Sequence, residues 1–182
     1  LTALSKVYKE LSMFEKAENA IQKVIANTPQ SLNYKCQLAD IYIKEKKYDK
    51  ALEIVSEILK ENENYISAYE IGAKAAYQKQ DYEEAKRYAQ EAISLDMNFA
   101  PGYYYLALVR FTEKDYEEAI ECMKRAIMYD VNNAQYYADM SNIYKETQDY
   151  KTALEYIKEA ESISPSLEYQ IMYKELASLN RK

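Results

Sequence analysis

The sequence predicts an all-α protein, built as a solenoid of stacked antiparallel helix pairs. Three observations predict this fold class. Residues that break helices are scarce, with two glycines and three prolines among 182 residues. Apolar residues recur at helical spacing, and one alanine returns at a fixed interval of 34 residues. The recurring alanines are Ala17, Ala51, Ala85, Ala119 and Ala153. Because their neighbours recur as well, the chain is predicted to repeat one structural unit.

Each period contains two blocks of apolar residues, which predict two helices of roughly 13 residues joined by a short polar turn. An aromatic residue stands three positions before the recurring alanine, as in the pentapeptide DYEEA at 81–85 and 115–119. This aromatic is expected to wedge at the start of the second helix. Pro29 and Pro165 fall at boundaries between periods, where no helical N–H is needed.

Small residues predict where the two helices of a pair cross. The position twelve residues before the recurring alanine always holds Ser or Ala, beginning with Ser5 before Ala17. Two helices approach closely only where neither carries bulk. One pair cannot bury all its apolar surface, so neighbouring pairs are predicted to stack.

This pattern resembles that of the tetratricopeptide repeat. The resemblance is carried in the first unit by Leu1, Leu4, Ser5, Tyr8, Ala17, Ile21, Val24 and Pro29, and in the fourth by Tyr103, Leu106, Ala107, Ala119 and Ala126. It implies a right-handed superhelical solenoid. We therefore predict a single array with units at 1–31, 32–65, 66–99, 100–133 and 134–167, followed by a capping helix or the start of a sixth unit at 168–182.

Three positions depart from the family pattern. Lys35 replaces a usual aromatic, Arg110 a common tyrosine, and Gly72 a leucine. A glycine inside a helix costs about 1 kcal/mol. The chain also begins without Met and already in a helical pattern, so we expect a fragment of a longer protein.

The composition excludes several kinds of chemistry. The chain has no histidine, which rules out Ser-His-Asp and Cys-His nucleophiles and any metal site that needs histidine. Cys36 and Cys122 are 86 residues apart in the sequence and are predicted to be reduced packing or surface thiols. Adjacent acids such as Glu83 and Glu84 are better explained by the positive end of a helix dipole than by catalysis. We predict no enzymatic activity, no cofactor and no metal.

The net charge of −6 argues against nucleic acid as a partner, and no apolar run is long enough to cross a membrane. The abundance of Lys and Tyr with few Gly favours a low-GC, bacterial source. We favour the cytoplasm as the compartment, although targeting signals outside the fragment would not be seen.

The resemblance implies that the first helix of each pair lines a concave groove that holds a peptide or helix of another protein. The inward positions of the fourth unit, Tyr104, Leu108 and Phe111, carry no charge, and Tyr77 of the third unit is expected beside them. The alternative is that these side chains only pack against neighbouring helices. The predicted partner-binding residues are Lys74, Tyr77, Tyr104, Leu108, Phe111, Asn142 and Lys145.

Two known binding signatures are not expected. The clamp that grips a C-terminal carboxylate in related arrays is absent. So is the asparagine ladder that holds a peptide backbone, because its positions here are Ala3, Gln37, Ile71, Tyr105 and Asp139.

The leading hypothesis is therefore a non-enzymatic scaffold for protein–protein interaction. One alternative is a structural array that assembles with itself or holds neighbouring domains apart. Another is a segment that recruits substrates to an enzyme elsewhere in the parent chain.

Overall fold

The structure, a computed structural model, describes residues 1–180, and within them every regular element is an α-helix. This confirms the predicted fold class. Each predicted unit contains two helices, of 13 and 14 residues from the second unit onward. The helices are α1 (Thr2–Glu10), α2 (Phe14–Asn27), α3 (Leu32–Lys44), α4 (Tyr48–Glu61), α5 (Ile66–Gln78), α6 (Tyr82–Leu95), α7 (Ala100–Thr112), α8 (Tyr116–Tyr129), α9 (Ala134–Glu146), α10 (Tyr150–Ile163) and α11 (Leu167–Leu179).

The helices form two compact units, each of which contains more than one of the 34-residue repeats. The N-terminal unit spans Leu1–Met97 and contains α1 to α6, and the C-terminal unit begins at Asn98 and contains α7 to α11. In each unit the two helices of a pair pack on each other, and the second helix of one pair packs on the first helix of the next. Stacking of neighbouring pairs is therefore observed within each unit. A single continuous array of five repeats stays a prediction.

The small residues mark close helix contacts, as predicted. All five recurring alanines are completely buried. The Ser5 hydroxyl donates a hydrogen bond to the Ala17 carbonyl at 2.9 Å, and the Ser141 hydroxyl donates to the Ala153 carbonyl at 2.8 Å. Such short bonds between the two helices of a pair are possible only because neither residue carries bulk.

The aromatic residue before each recurring alanine is the first residue of the second helix in every pair. In the last three pairs it follows an aspartate that caps the helix. The carboxylates of Asp81, Asp115 and Asp149 each accept a hydrogen bond from the backbone N–H three residues later, at 3.1–3.3 Å. Met13 and Lys47 hold this position before α2 and α4 and make no such bond. A cap of this kind typically stabilises a helix by about 1 kcal/mol.

The turn inside each pair contains a residue with a left-handed backbone. These residues also recur at intervals of 34, and none is glycine, although this region favours glycine. They are Ser12, Lys46, Gln80, Lys114 and Gln148, with φ between 56° and 68°. The next N–H closes the turn by donating to a carbonyl five residues back, as Lys47 does to Tyr42 at 2.8 Å. This is the bond of a Schellman motif, which requires the left-handed residue.

Gly72 has a packing reason that its helix propensity does not reveal. A Cβ at this position would lie 2.9 Å from three ring atoms of Tyr88. Tyr88 on α6 is buried, and its ring lies edge-on to Tyr69 of α5. The missing side chain on α5 therefore makes room for a large ring on α6.

The last described helix, α11, packs on α10 through Tyr169 and Leu176, which are buried in the same apolar cluster as Ile157. It begins at Leu167, and its role as a capping helix or as the start of a sixth repeat stays a prediction. The last two residues of the predicted terminal segment, 181 and 182, lie outside the described residues.

Candidate functional site

In the N-terminal unit, one carboxylate connects the first helices of three successive pairs. Asp40 of α3 binds Lys9 of α1 at 2.6 Å through one oxygen and Lys74 of α5 at 2.5 Å through the other. All three side chains are largely buried, and Asp40 is 17% exposed. The interaction is therefore a charge-compensated bridge across α1, α3 and α5.

The charges near Asp40 set its protonation. Burial alone would raise the pKa of Asp40, but Lys74 and Lys9 outweigh burial, and the pKa lies below its ordinary value. Glu70, one turn before Lys74 on α5, has a raised pKa because it is buried and close to Asp40. Burial and the charge of Glu70 raise the pKa of the Cys36 thiol to about 12.

Two predicted partner-binding residues lie in this unit. Lys74 is the cation already bound to Asp40. The ring of Tyr77 lies 5.8 Å from that of Tyr82, the aromatic residue that begins α6. The structure thus gives both side chains partners within the unit.

The C-terminal unit also has a carboxylate at its centre, but the partners are different. The Tyr104 hydroxyl of α7 donates to Asp139 of α9 at 2.9 Å, and the Gln135 amide donates to the same oxygen at 3.0 Å. Asn142, one turn further along α9, lies close enough to this carboxylate to lower its pKa. The Tyr104 ring stacks on that of Tyr136, with centroids 4.7 Å apart. Asp139 is therefore held by neutral donors beside stacked rings.

This environment raises the pKa of Asp139 above its ordinary value. Burial is the main cause, the charge of Glu168 adds to it, and the polar side chains of Gln135, Tyr104 and Asn142 offset only part of it. Burial and the neighbouring carboxylate also raise the pKa of Tyr104. Within residues 1–180, Asp139 has no lysine or arginine as a partner.

Five predicted partner-binding residues lie in this unit, and the structure brings two of them together. Tyr104 donates a hydrogen bond to Asp139, and Asn142 lies near the same carboxylate. Lys145 pairs instead with Glu175 of α11 at 2.7 Å. Phe111 lies 5.9 Å from the ring of Tyr116, the first residue of α8. Leu108 is half-buried on α7, one turn from both Tyr104 and Phe111.

Asp139 is not among the partner-binding residues predicted from the sequence, where it stands only at a position that would hold Asn in an asparagine ladder. A signal was present. Asp139 stands between two buried apolar residues, Ala138 and Met140, in a helix that bears few charges. A charge in such a stretch either finds donors or points to a binding surface.

Other chemistry finds little support among residues 1–180. Glu84 accepts two hydrogen bonds from Arg87, at 2.6 and 2.9 Å, so an ion pair accounts for this carboxylate. No cluster of three or more Cys, Asp or Glu there is arranged to hold a metal ion. None of the helices described has the length and apolar character needed to cross a bilayer.

Family models match most of the chain. Two models of the tetratricopeptide repeat match residues 76–143 and 134–167. A third, described as anaphase-promoting complex, cyclosome, subunit 3, matches residues 10–92. No curated protein sequence matches the chain.

Solved structures with the same fold cover nearly the whole chain. TTC0263, a thermophilic TPR protein of Thermus thermophilus, is 17% identical, with a TM-score of 0.86 over 97% of this chain and 96% of its own. PilF of Pseudomonas aeruginosa is 18% identical, with a TM-score of 0.76 over 99% of this chain and 82% of its own. YrrB, a TPR protein with an unusual peptide-binding site, is 15% identical, with a TM-score of 0.61 over 96% of this chain and 90% of its own.

The helix pairs, the 34-residue period and the matching family models lead to one assignment. The chain belongs to the tetratricopeptide repeat family.

Proposed function

We propose that this chain is a non-enzymatic scaffold that holds a peptide or helix of another protein in a concave groove lined by its first helices. Tetratricopeptide repeats typically serve as scaffolds for protein–protein interaction. One protein of similar fold, YrrB, is described as having a peptide-binding site. These similarities support protein binding as the class of function. The location of the binding site is argued from the residues of this chain.

The observation that carries the proposal is the uncharged face of α7. Tyr104, Leu108 and Phe111 follow each other at intervals of four and three residues, so they lie on one face of the helix. All three are half-buried, whereas residues between them such as Tyr105, Ala107 and Val109 are buried. An apolar face left partly open on a preformed helix gives a partner an anchor, and little receptor entropy is lost on binding.

The test uses a phage-displayed library of random peptides, because the natural partner is not needed for it. Peptides selected on the wild-type chain are synthesised, and their affinity is measured by fluorescence anisotropy for the wild type and for Leu108→Glu. A carboxylate placed at the apolar anchor is expected to weaken binding by roughly 30-fold or more. Tyr104→Ala is expected to act in the same direction.

The matched control is Glu121→Lys on α8, an exposed position on the second helix of the same pair. It changes the charge more than Leu108→Glu does but leaves the face of α7 intact. Circular dichroism checks that each variant is folded. Binding lost in Glu121→Lys but kept in Leu108→Glu would contradict the proposal.

A second candidate function, self-association, is favoured by the apolar face of α1. Val7 is 52% exposed, whereas the equivalent residues of the second, fourth and fifth units, Ile41, Val109 and Ile143, are 1–2% exposed. Leu4 and Leu11 extend this exposed face. We propose a second copy of the chain as its occupant, since Leu4, Val7 and Leu11 lie on one face of α1 at helical spacing and are exposed together.

Light scattering over a range of concentrations tests this candidate. The wild type should show a mass above that of a 21.3 kDa monomer at high concentration, and Val7→Glu should restore the monomer. Leu167→Glu, at an exposed apolar position on α11, serves as the control. A strictly monomeric wild type would exclude self-association.

A further inference from the structure

We propose that Asp139 and Tyr104 form a receptor for a lysine or arginine side chain of the bound partner. This inference rests on the proposed function and names the chemistry of the partner. The bound segment would carry one cation for Asp139, with apolar side chains beside it for Leu108 and Phe111.

The first argument is geometric. One oxygen of Asp139 accepts both the Tyr104 hydroxyl at 2.9 Å and the Gln135 amide at 3.0 Å. Two donors from two different helices hold the carboxylate in one orientation. A carboxylate fixed in this way needs little further ordering when a cation binds to it.

The second argument is the absence of a countercharge. Among the described residues no lysine or arginine pairs with Asp139. The nearby charge of Glu168 is also negative and raises the pKa of Asp139. Lys145, the cation of the same helix, is paired with Glu175 at 2.7 Å. A largely buried carboxylate without a cation is costly. A partner that supplies the cation would relieve this cost.

The third argument comes from the other unit. Asp40, also on a first helix, has the cations that Asp139 lacks, since Lys9 and Lys74 bind its two oxygens. The two acids are not at equivalent positions of the repeat, since Asp40 corresponds to Asn142 and Asp139 to Gln37. Asp40 shows what a carboxylate on a first helix of this chain binds when lysines of neighbouring first helices are within reach. In the C-terminal unit we infer that the cation comes from outside.

The surroundings favour an amino-acid side chain over a metal ion. A metal would need several charged or thiolate ligands, and no cluster of three Cys, Asp or Glu suited to it occurs in residues 1–180. A lysine or arginine side chain needs one carboxylate and benefits from aromatic faces along its stem and head. The half-buried ring of Tyr104, whose one face is covered by the buried ring of Tyr136, lies beside Asp139.

The experiment selects phage-displayed random peptides in parallel on the wild type and on Asp139→Asn. Peptides from the wild type should be enriched in Lys or Arg at one position next to apolar residues, and peptides from Asp139→Asn should not be. In the best wild-type peptide, citrulline then replaces the arginine, or norleucine the lysine. We expect affinity for the wild type to fall about tenfold or more and affinity for Asp139→Asn to change less than about threefold.

Glu146→Gln is the matched control, because Glu146 is an exposed acid on the same helix as Asp139. It removes the same charge without touching the carboxylate that Tyr104 holds. If Glu146→Gln abolishes the preference for basic peptides as strongly as Asp139→Asn does, the preference comes from overall charge and the inference is overturned.

The two proposals fail in different ways. Selected peptides that need Leu108 but show no basic enrichment would overturn the receptor at Asp139 and leave the proposed function standing. Selected peptides that bind Leu108→Glu as well as the wild type would overturn both. The citrulline and norleucine peptides test the inference on the wild type alone, so the result does not depend on how well Asp139→Asn folds.

Discussion

Asp40 and Asp139 lie on equivalent helices of the two units and have opposite surroundings. Asp40 binds two lysines and has a lowered pKa, whereas Asp139 binds neutral donors and has a raised pKa. Both are largely buried, so burial does not explain the difference. The difference is that two lysines pair with Asp40, whereas no lysine or arginine among residues 1–180 pairs with Asp139.

The comparison contrasts two arrangements of a carboxylate on one repeated scaffold. In the N-terminal unit the charged residues compensate each other and join α1, α3 and α5. In the C-terminal unit Asp139 pairs with no lysine or arginine of residues 98–180 and lies next to an uncharged face of α7. The first arrangement is expected to stabilise the fold, and we propose that the second leaves interaction energy available to a partner.

The largest expected effect is that of Asp40→Asn. Loss of the carboxylate leaves Lys9 and Lys74 largely buried near each other, with Glu10 3.8 Å from Lys9 and Glu70 near Lys74 as the remaining acids. We expect the free energy of unfolding to fall by about 2 kcal/mol. Urea denaturation followed by circular dichroism measures it.

Asp49→Asn is the control, because Asp49 is 79% exposed and pairs with Lys79 on the surface. An equal effect in both variants would contradict a stabilising role for the Asp40 bridge.

Tyr104→Phe should have an intermediate effect. It removes a donor to a largely buried carboxylate, and we expect a loss of about 1 kcal/mol in the free energy of unfolding. Tyr137→Phe is the control, since the Tyr137 hydroxyl donates to the Val131 carbonyl at an exposed site. If Tyr104→Phe is as stable as the wild type, its hydroxyl does not hold Asp139 in solution.

Asp139→Asn should have a smaller effect of opposite sign to Asp40→Asn. At neutral pH the neutral amide avoids the cost of an unpaired carboxylate and still offers an oxygen to Tyr104. We expect the free energy of unfolding to rise by a few tenths to about 1 kcal/mol. A loss as large as that in Asp40→Asn would erase the distinction between the two carboxylates.

Asp40 and Asp139 should also differ in how their contributions to the free energy of unfolding depend on pH. Asp40 has a lowered pKa, so its contribution to stability is present above the ordinary value of 3.8 and is lost as the pH falls through its folded-state pKa. Asp139 has a raised pKa, so its favourable contribution is present below 3.8 and is lost as the pH rises through its folded-state pKa.

The measurement is the difference in free energy of unfolding between the wild type and each Asn variant as a function of pH. The difference for Asp40 should shrink below about 4, and that for Asp139 should change above about 4. Titrations that are common to the wild type and the variants cancel in these differences. Two curves that change in the same window would contradict the assignment.

The fold was predictable because its determinants recur. Residues such as Ala85 and Tyr82 are required at the same place in every unit, so five copies of the pattern reinforce one another. The aspartate caps could also have been predicted from the sequence. Asp81 is followed three residues later by Glu84, which resembles a capping box. The left-handed turn residues could not have been predicted in this way, because Lys46 and Gln80 are not the glycine, asparagine or aspartate that usually adopts a positive φ.

The candidate site was harder to predict because it depends on residues that do not recur. Tyr104 of the fourth repeat donates a hydrogen bond to Asp139 of the fifth repeat. This contact depends on how far the two side chains extend between their helices. Gly72 shows the same limit, since its cost to the helix was predicted but the Tyr88 ring that it accommodates was not. Periodicity identifies what all units share and is silent about contacts made once.

The two cysteines make each unit its own reporter of unfolding. Both are free thiols and buried, which agrees with the predicted packing role and not with the surface alternative. Cys36 lies in the N-terminal unit and Cys122 in the C-terminal unit. Burial is the main cause that raises their pKa values, to about 12 and about 11. The thiolate is the reactive form, so a thiol reagent should modify each cysteine only when its surroundings open. The two labelling rates, resolved by mass spectrometry of the peptides, would show whether the units open together or one at a time.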